Sequence, residues 1–239
     1  MLFETHSCPA AFIGHSGMFS AFCAGRPTSL VLDFGARETR VTPVVDGFVL
    51  RKAVMKTARG GNWLDKKLLA ELESHEQVVK PWFEKTGVVA VDVSTSFRDM
   101  HVTDVVRDIK KWMCFVPKSS SFSSDVLEAM KMPPYELPDG TMVSATMNIC
   151  TAPAALFASG REKTRTFATF NSNLPAHCQV ADIDCELDSL QDLIHVAIGK
   201  CDVDTRKDLL ANITGSFLND YLNIIMSQKL IVMFSMWRR

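Results

Sequence analysis

The sequence has no surplus of positive charge, no cysteines paired at metal-ligand spacing and no apolar run long enough for a bilayer. Its 26 Lys and Arg residues face 27 Asp and Glu residues, and a net charge of -1 argues against direct nucleic-acid binding through phosphates. Seven dispersed cysteines without a C-x-x-C pair favour reduced thiols over a zinc site. The apolar run over 230–234 falls far short of the ~20 residues of a membrane span. We therefore expect no direct nucleic-acid partner and no membrane contact.

The remaining composition and patterning are those of a folded protein. At 239 residues and 47% hydrophobic content, the chain is long enough for one or two domains with a sizeable core. Apolar and small residues predict a helix over 9–25 that closes on Gly25. β-rich runs separated by turns predict strands over 29–33, 39–42 and 47–50. Helical spacing predicts further helices over 62–75, 104–115, 187–198 and 203–213, and serines predict an exposed loop over 118–125.

Three short motifs occur in the order, and at nearly the spacing, that they have in actin. They are 106–110 (VRDIK), 135–140 (YELPDG) and 200–209 (KCDVDTRKDL). One short match would carry little weight, but three collinear matches make chance implausible. The chain therefore resembles the actin superfamily. The resemblance implies an α/β protein with a partial actin-like fold, the fold shared by actin, Hsp70 and sugar kinases, and mainly one lobe of it.

The resemblance also implies a domain organisation. Residues 1–25 correspond to a remnant of the first-lobe inner subdomain, 26–60 with 188–230 to the second-lobe inner subdomain, and 61–187 to an inserted outer subdomain. The tail over 231–239 matches nothing in the family, and it fits intron read-through or a frameshift better than an amphipathic membrane anchor. We expect a fragment that lacks the N-terminal third and the C-terminal segment of the family. A true short isoform and a gene model without its upstream exons are both open.

The turn over 33–37 (DFGAR) stands where actin has D-S-G-D-G, the second of its two phosphate-binding hairpin turns. In that fold, backbone N–H groups of the turn bind phosphate oxygens, and an aspartate orients waters on Mg²⁺. The resemblance implies that Asp33 and Gly35 bind the cofactor, and that Asp33 reaches the metal through water. The second aspartate of the motif has become Ala36, and the following glycine has become Arg37.

Three groups that position water in actin are replaced together. Ser16 stands where actin has the glutamine that orients the attacking water, Arg40 replaces a histidine, and Ala36 lacks the carboxylate. Phosphoryl transfer is catalysed mostly by positioning and by stabilisation of charge. We therefore expect a vestigial or binding-only turn, no catalytic residue and no enzyme activity.

The adenosine side of the implied site is mixed. Gly61, Arg107 and Lys110 match actin residues beside the nucleotide, and Gly215 is what remains of a double glycine in the purine-side loop. Lys111 stands where actin has a glutamate that receives the ribose hydroxyls, and a lysine has no acceptor for them. The alternative for Arg107 and Lys110 is a solvated helix face. The resemblance implies that ATP with Mg²⁺ is bound, if at all, by the full-length protein, and weakly or not at all by this chain.

Several segments resemble the nuclear actin-related protein 4 family, whose second phosphate turn reads D-S-G-A. Residues 41–50 (VTPVVDGFVL) are similar to that family's I-P-V-x-D-G-Y-V-L, and 60–64 (GGNWL) to its G-G-D-F-L. The resemblance implies a non-hydrolysing architectural subunit of chromatin-remodelling and histone-acetyltransferase complexes in the nucleus. Its implied partners are actin and a helical segment of the remodelling or acetyltransferase subunit. Two alternatives stay open: a conventional actin-like ATP-binding protein, and a filament component of the cytoplasmic cytoskeleton.

Overall fold

The computed structural model describes residues 3–75, 77–84, 93–117, 132–157 and 189–217. The chain divides into two compact units. Unit 1 comprises Met1–Asp33, Arg40–Met55 and Ile194–Ser216, and unit 2 comprises Phe34–Thr39, Lys56–Leu193 and Phe217–Arg239. The serine-rich loop predicted over 118–125 and the tail over 231–239 lie outside the described residues.

Short strands and six described α-helices make up both units. The strands are β1 (Ser29–Phe34), β2 (Thr39–Val45), β3 (Phe48–Val49), β4 (Met55–Thr57), β5 (Tyr135–Glu136), β6 (Met142–Val143) and β7 (Ile213–Phe217). The helices are α1 (Ser16–Cys23), α2 (Gly61–Ser74), α3 (Thr95–Met113), α4 (Met147–Thr151), α5 (Leu190–Gly199) and α6 (Val203–Ala211). None of the helices in the described ranges is long and apolar enough to span a bilayer.

The main sheet has the strand order β3–β2–β1–β7, and β4 pairs with β2. Leu30, Val31 and Leu32 of β1 are all fully buried, as expected of a central strand covered on both faces. The three strands predicted from the sequence are confirmed. Strand β7 was not predicted, because the resemblance to actin assigned residues around Gly215 to a loop.

The β2–β3 hairpin is closed by Asp46 and Gly47. Their φ angles are 50° and 83°, both left-handed. Val45 faces Phe48 across the turn, so the connection has two residues. Two left-handed residues in a two-residue hairpin make a type I′ turn, which favours Asp-Gly because its twist matches that of the strands.

Helix α1 is shorter than the sequence predicted. It begins at Ser16, not at Pro9, because His15 forms the N-cap: the Gly17 N–H donates to Nδ1 of His15 at 3.2 Å. The predicted end is confirmed, since Gly25 follows the helix with φ 67°. The apolar residues between Pro9 and His15 therefore precede the helix.

Unit 2 is built on the packing of α2 against α3. Leu68 and Leu72 of α2 and Ile109 and Met113 of α3 are almost fully buried in one core. The α3 helix begins at Thr95, nine residues before the predicted start at position 104. Its first buried residue is Val102, so the core-facing pattern from which the helix could be predicted begins only in the third turn.

The 135–140 motif forms a hairpin on the same core. Strands β5 and β6 pair in antiparallel register, and Gly140 turns the chain with φ 86°. The Tyr135 hydroxyl donates to Oδ2 of Asp108 on α3 at 2.5 Å. Burial and this hydrogen bond raise the pKa of Tyr135 to about 12. The motif therefore attaches the hairpin to α3.

Candidate functional site

The candidate phosphate turn is the four-residue connection between β1 and β2. The two strands are neighbours in the sheet, and so short a connection makes them antiparallel. The Gly35 N–H donates to the Glu38 carbonyl at 3.0 Å, which closes the turn. A Cβ at Gly35 would lie 3.0 Å from that same carbonyl oxygen, so the turn is tight enough to favour glycine. The Gly35 N–H is therefore used inside the turn.

The start of helix α2 is hydrogen-bonded to this turn. The Gly61 N–H donates to the Gly35 carbonyl at 3.0 Å, and the Asn62 N–H donates to the Ala36 carbonyl at 2.7 Å. The first four N–H groups of a helix have no partner within the helix. Two of them are satisfied here by the turn, so they are not available to a phosphate.

Gly60 allows the two backbones to come this close. A Cβ at Gly60 would lie 2.7 Å from the Ala36 carbonyl oxygen, 2.8 Å from the Arg37 carbonyl carbon and 2.8 Å from the Glu38 nitrogen. Its φ of -113° is open to any residue, so glycine is required for space and not for conformation. Gly60 was not selected from the sequence, although a Gly-Gly pair before an amphipathic helix was the available signal.

Arg107 and Lys110, both predicted to lie beside the nucleotide, contact Asp65. Arg107 Nε lies 3.2 Å from Oδ2 of Asp65, and the Lys110 ammonium bonds its Oδ1. The Lys110 ammonium also lies 3.5 Å from the Gly61 carbonyl oxygen. A spacing of i, i+3 places both cations on one face of α3. The structure therefore brings Gly35, Gly61, Arg107 and Lys110 into one region of unit 2, with Asp65 as the missed member.

Two of the three charged groups in this cluster are largely buried. The Asp65 side chain is 6% exposed and that of Lys110 is 10% exposed, whereas that of Arg107 is 47% exposed. A buried carboxylate is costly unless it is paired and hydrogen-bonded. Arg107 also contacts Asp104 on the surface, at 3.2 Å. The alternative of a solvated helix face therefore holds in part for Arg107, which is half-exposed, and does not hold for Lys110, which is largely buried.

Asp33, half-buried near the end of β1, belongs to unit 1, as do Ser16 and Arg40. Gly215 lies in strand β7 of unit 1, at the position where the resemblance implied a purine-side loop. Lys111 is exposed on α3.

The groups of unit 2 that the resemblance places beside the nucleotide have partners within the chain. The Lys110 ammonium is held by Asp65 and the Gly61 carbonyl, and the Gly35 N–H is held within its turn. Within the described ranges, no group of three or more His, Cys, Asp or Glu side chains is placed to hold a metal ion. Arg107 and Lys110 of α3 are joined to α2 through Asp65.

The architecture and this region together define a class of protein. A sheet whose β1–β2 turn is hydrogen-bonded to the start of a glycine-led helix is consistent with an α/β protein of actin-like fold. The chain belongs to the actin family: the family model described as Actin matches residues 1–217. The predicted fold class and the predicted family are confirmed.

The chain is similar to curated proteins named Actin-related protein 4. It is 29% identical to that of Arabidopsis thaliana over 225 residues, which cover 89% of this chain and 49% of the relative. The relative from Oryza sativa subsp. indica is 29% identical over 225 residues, which cover 89% of this chain and 48% of the relative. The relative from Gibberella zeae is 29% identical over 243 residues, which cover 93% of this chain and 51% of the relative. The chain is thus an actin-related protein that spans about half the length of these relatives.

Proposed function

We propose that the full-length gene product is a non-hydrolysing architectural subunit of nuclear chromatin-remodelling and histone-acetyltransferase complexes. The observation that carries the proposal is the replacement of the water-positioning groups by Ser16, Ala36 and Arg40 on a retained scaffold. The scaffold motifs over 135–140 and 200–209 stay close to actin. Retained architecture with replaced chemistry favours a function that depends on shape and contacts. Similarity to proteins named Actin-related protein 4 supports it.

The proposed partners are actin and a helical segment of a remodelling or acetyltransferase subunit. The net charge of -1 favours a chromatin role through protein partners and not through phosphate contacts. In the family that the chain resembles, the helical segment lies between two inner subdomains. Because this chain spans about half of its relatives, we propose that it binds such a segment weakly or not at all.

We propose ATP with Mg²⁺ as a ligand of the full-length protein only. Binding by this chain should be weak or absent, because the cations that would face the nucleotide are paired with Asp65. At the start of α2, two N–H groups likewise donate to carbonyl groups of the turn. Hydrogen bonds to charged groups contribute about 1.5–3 kcal/mol each, so the loss of a few removes most of the affinity.

Affinity purification of the tagged full-length product from nuclear extract tests the assembly. We expect recovery of actin with at least one remodelling or acetyltransferase subunit, and we expect it to survive nuclease treatment, because the contacts are between proteins. The tagged 239-residue chain, treated in the same way, should recover much less of either. Tagged conventional actin serves as the comparison. Recovery of cytoplasmic or filament proteins alone by the full-length product would refute the proposal.

Phosphate release from Mg-ATP tests the absence of hydrolysis. The purified chain should release phosphate no faster than the buffer, because Ser16, Ala36 and Arg40 cannot orient a water for attack. Conventional actin is the positive control, and Asp33→Ala identifies contaminating activity. Turnover as fast as that of actin, abolished by Asp33→Ala, would contradict the expectation.

A further inference from the structure

We infer that Asp65 is an internal anion that occupies Arg107 and Lys110 and so excludes polyphosphate from this face of unit 2. The inference concerns the purified chain, and it does not depend on the assembly proposed above. It assigns a specificity role to a residue outside the motifs that the chain shares with actin. The ligand class that it excludes is a chain of phosphates, either inorganic or carried by a nucleotide.

The position of Asp65 on α2 is the first support. Its neighbours Leu64 and Leu68 are almost fully buried, so the carboxylate lies on the buried face of the helix. Each of its oxygens accepts from a different cation, Oδ2 from Arg107 and Oδ1 from Lys110. The carboxylate therefore meets both cations as a phosphate group would, with one oxygen for each.

The second support is that each of the two cations also has another hydrogen-bond acceptor within the chain. Lys110 has a second acceptor in the Gly61 carbonyl, and Arg107 has one in Asp104. Because the side chain of Lys110 is 10% exposed, it would have to leave Asp65 to reach an external anion. That movement would leave the buried carboxylate with the half-exposed Arg107 as its remaining cation, which is unfavourable.

Removal of the Asp65 charge should reverse this exclusion. In Asp65→Asn the amide keeps the shape of the side chain, but the ammonium and the guanidinium lose their shared anion. Both groups bind phosphate oxygens well, Arg with its fork of donors and Lys as a compact charge. A polyphosphate that reaches the half-exposed Arg107 can then also pair with Lys110, and its binding replaces the lost charge.

Calorimetric titration of the purified chain with sodium tripolyphosphate tests the inference. Asp65→Asn should bind tripolyphosphate at least tenfold more tightly than the wild type. Asp104→Asn is the matched control, because it removes the same charge from the exposed partner of the same arginine and should give no such gain. Adding Lys110→Met to Asp65→Asn should abolish the gain. A parallel titration with ATP should show the same gain, since the phosphate chain is what is recognised.

Stability provides an independent readout. The urea midpoint of Asp65→Asn should be below that of the wild type, and tripolyphosphate should raise it more than sodium chloride of equal ionic strength does. A purely structural role for Asp65 would lower the midpoint without any specific rescue by the anion.

Three results would overturn the inference. The first is a folded Asp65→Asn with the tripolyphosphate affinity of the wild type, and the second is a gain for ATP without one for tripolyphosphate. The third is a tenfold loss of tripolyphosphate affinity on Lys110→Met in the wild-type background, because Lys110 would then already serve an external anion. If Asp65→Asn does not fold, this last comparison decides: unchanged affinity in Lys110→Met supports the inference and a tenfold loss refutes it.

Discussion

Gly60→Ala should lower the free energy of unfolding of unit 2 by about 3–5 kcal/mol. The added methyl carbon would lie 2.7–2.8 Å from three backbone atoms of the turn, and backbone cannot rotate away as a side chain can. Either α2 or the turn must move, and the Gly61 and Asn62 N–H groups then lose their carbonyl partners. Overpacking costs about 1–3 kcal/mol and each lost hydrogen bond about 1 kcal/mol, so the two effects add to the expected loss.

Gly61→Ala is the matched control for this change. Its Cβ would meet Cα of Ala36 at 3.6 Å, an ordinary contact, and alanine is a better helix former than glycine by up to ~1 kcal/mol. Urea unfolding followed by tryptophan fluorescence reports on unit 2 through Trp63, Trp82 and Trp112. Equal urea midpoints for Gly60→Ala and Gly61→Ala would show that the turn and α2 are not in contact in solution.

Raising the pH from about 8 to about 11 should remove roughly 5 kcal/mol of the free energy of unfolding of unit 2. Burial raises the pKa of the Cys114 thiol to about 12 and that of Cys150 to about 11, from an ordinary value of 9.0. Above pH 9 the unfolded chain loses these protons while the folded unit keeps them, so unfolding releases protons and becomes more favourable as the pH rises. The contribution is complete below pH 9 and is lost by about pH 12, when the folded thiols ionise as well.

Urea unfolding at a series of pH values under reducing conditions measures this dependence. The double variant Cys114→Ala/Cys150→Ala should be less stable at neutral pH but should lose much less stability on the way to pH 11. Tyr135, whose pKa is raised to about 12 by burial and by Asp108, adds a smaller slope that Tyr135→Phe should remove. A urea midpoint that stays constant up to pH 11 in the wild type would contradict the burial of the two thiols.

The parts of the fold that sequence could predict are those with a local cause. The strand patterns and the leucine spacing of α2 depend on residues close together in the chain, and both are confirmed. The errors concern elements whose cause is distant. The first buried side chain of α3 is Val102, well after the start of the helix, and β7 is a strand because it pairs with β1.

The candidate site shows the same limit. Gly35, Gly61, Arg107 and Lys110 were selected because they match motifs of a known family, and the structure brings them into one region. Asp65, the partner of the two cations, lies 42 positions from Arg107 and 45 from Lys110, and no local pattern indicates that pairing. Motif matching identified the two cations, but only the packing of α2 on α3 shows that they pair with Asp65.

The hydrogen bonds between the turn and α2 also have a mechanical consequence. A 14-residue helix is ~21 Å long and behaves as a rigid rod, so a tilt of about 10° at its start displaces its far end by about 4 Å. The turn cannot shift by more than a fraction of an ångström without tilting that rod or breaking both bonds to it. A displacement of residues 35–38 is therefore transmitted to the opposite end of α2 as a tilt of the whole helix.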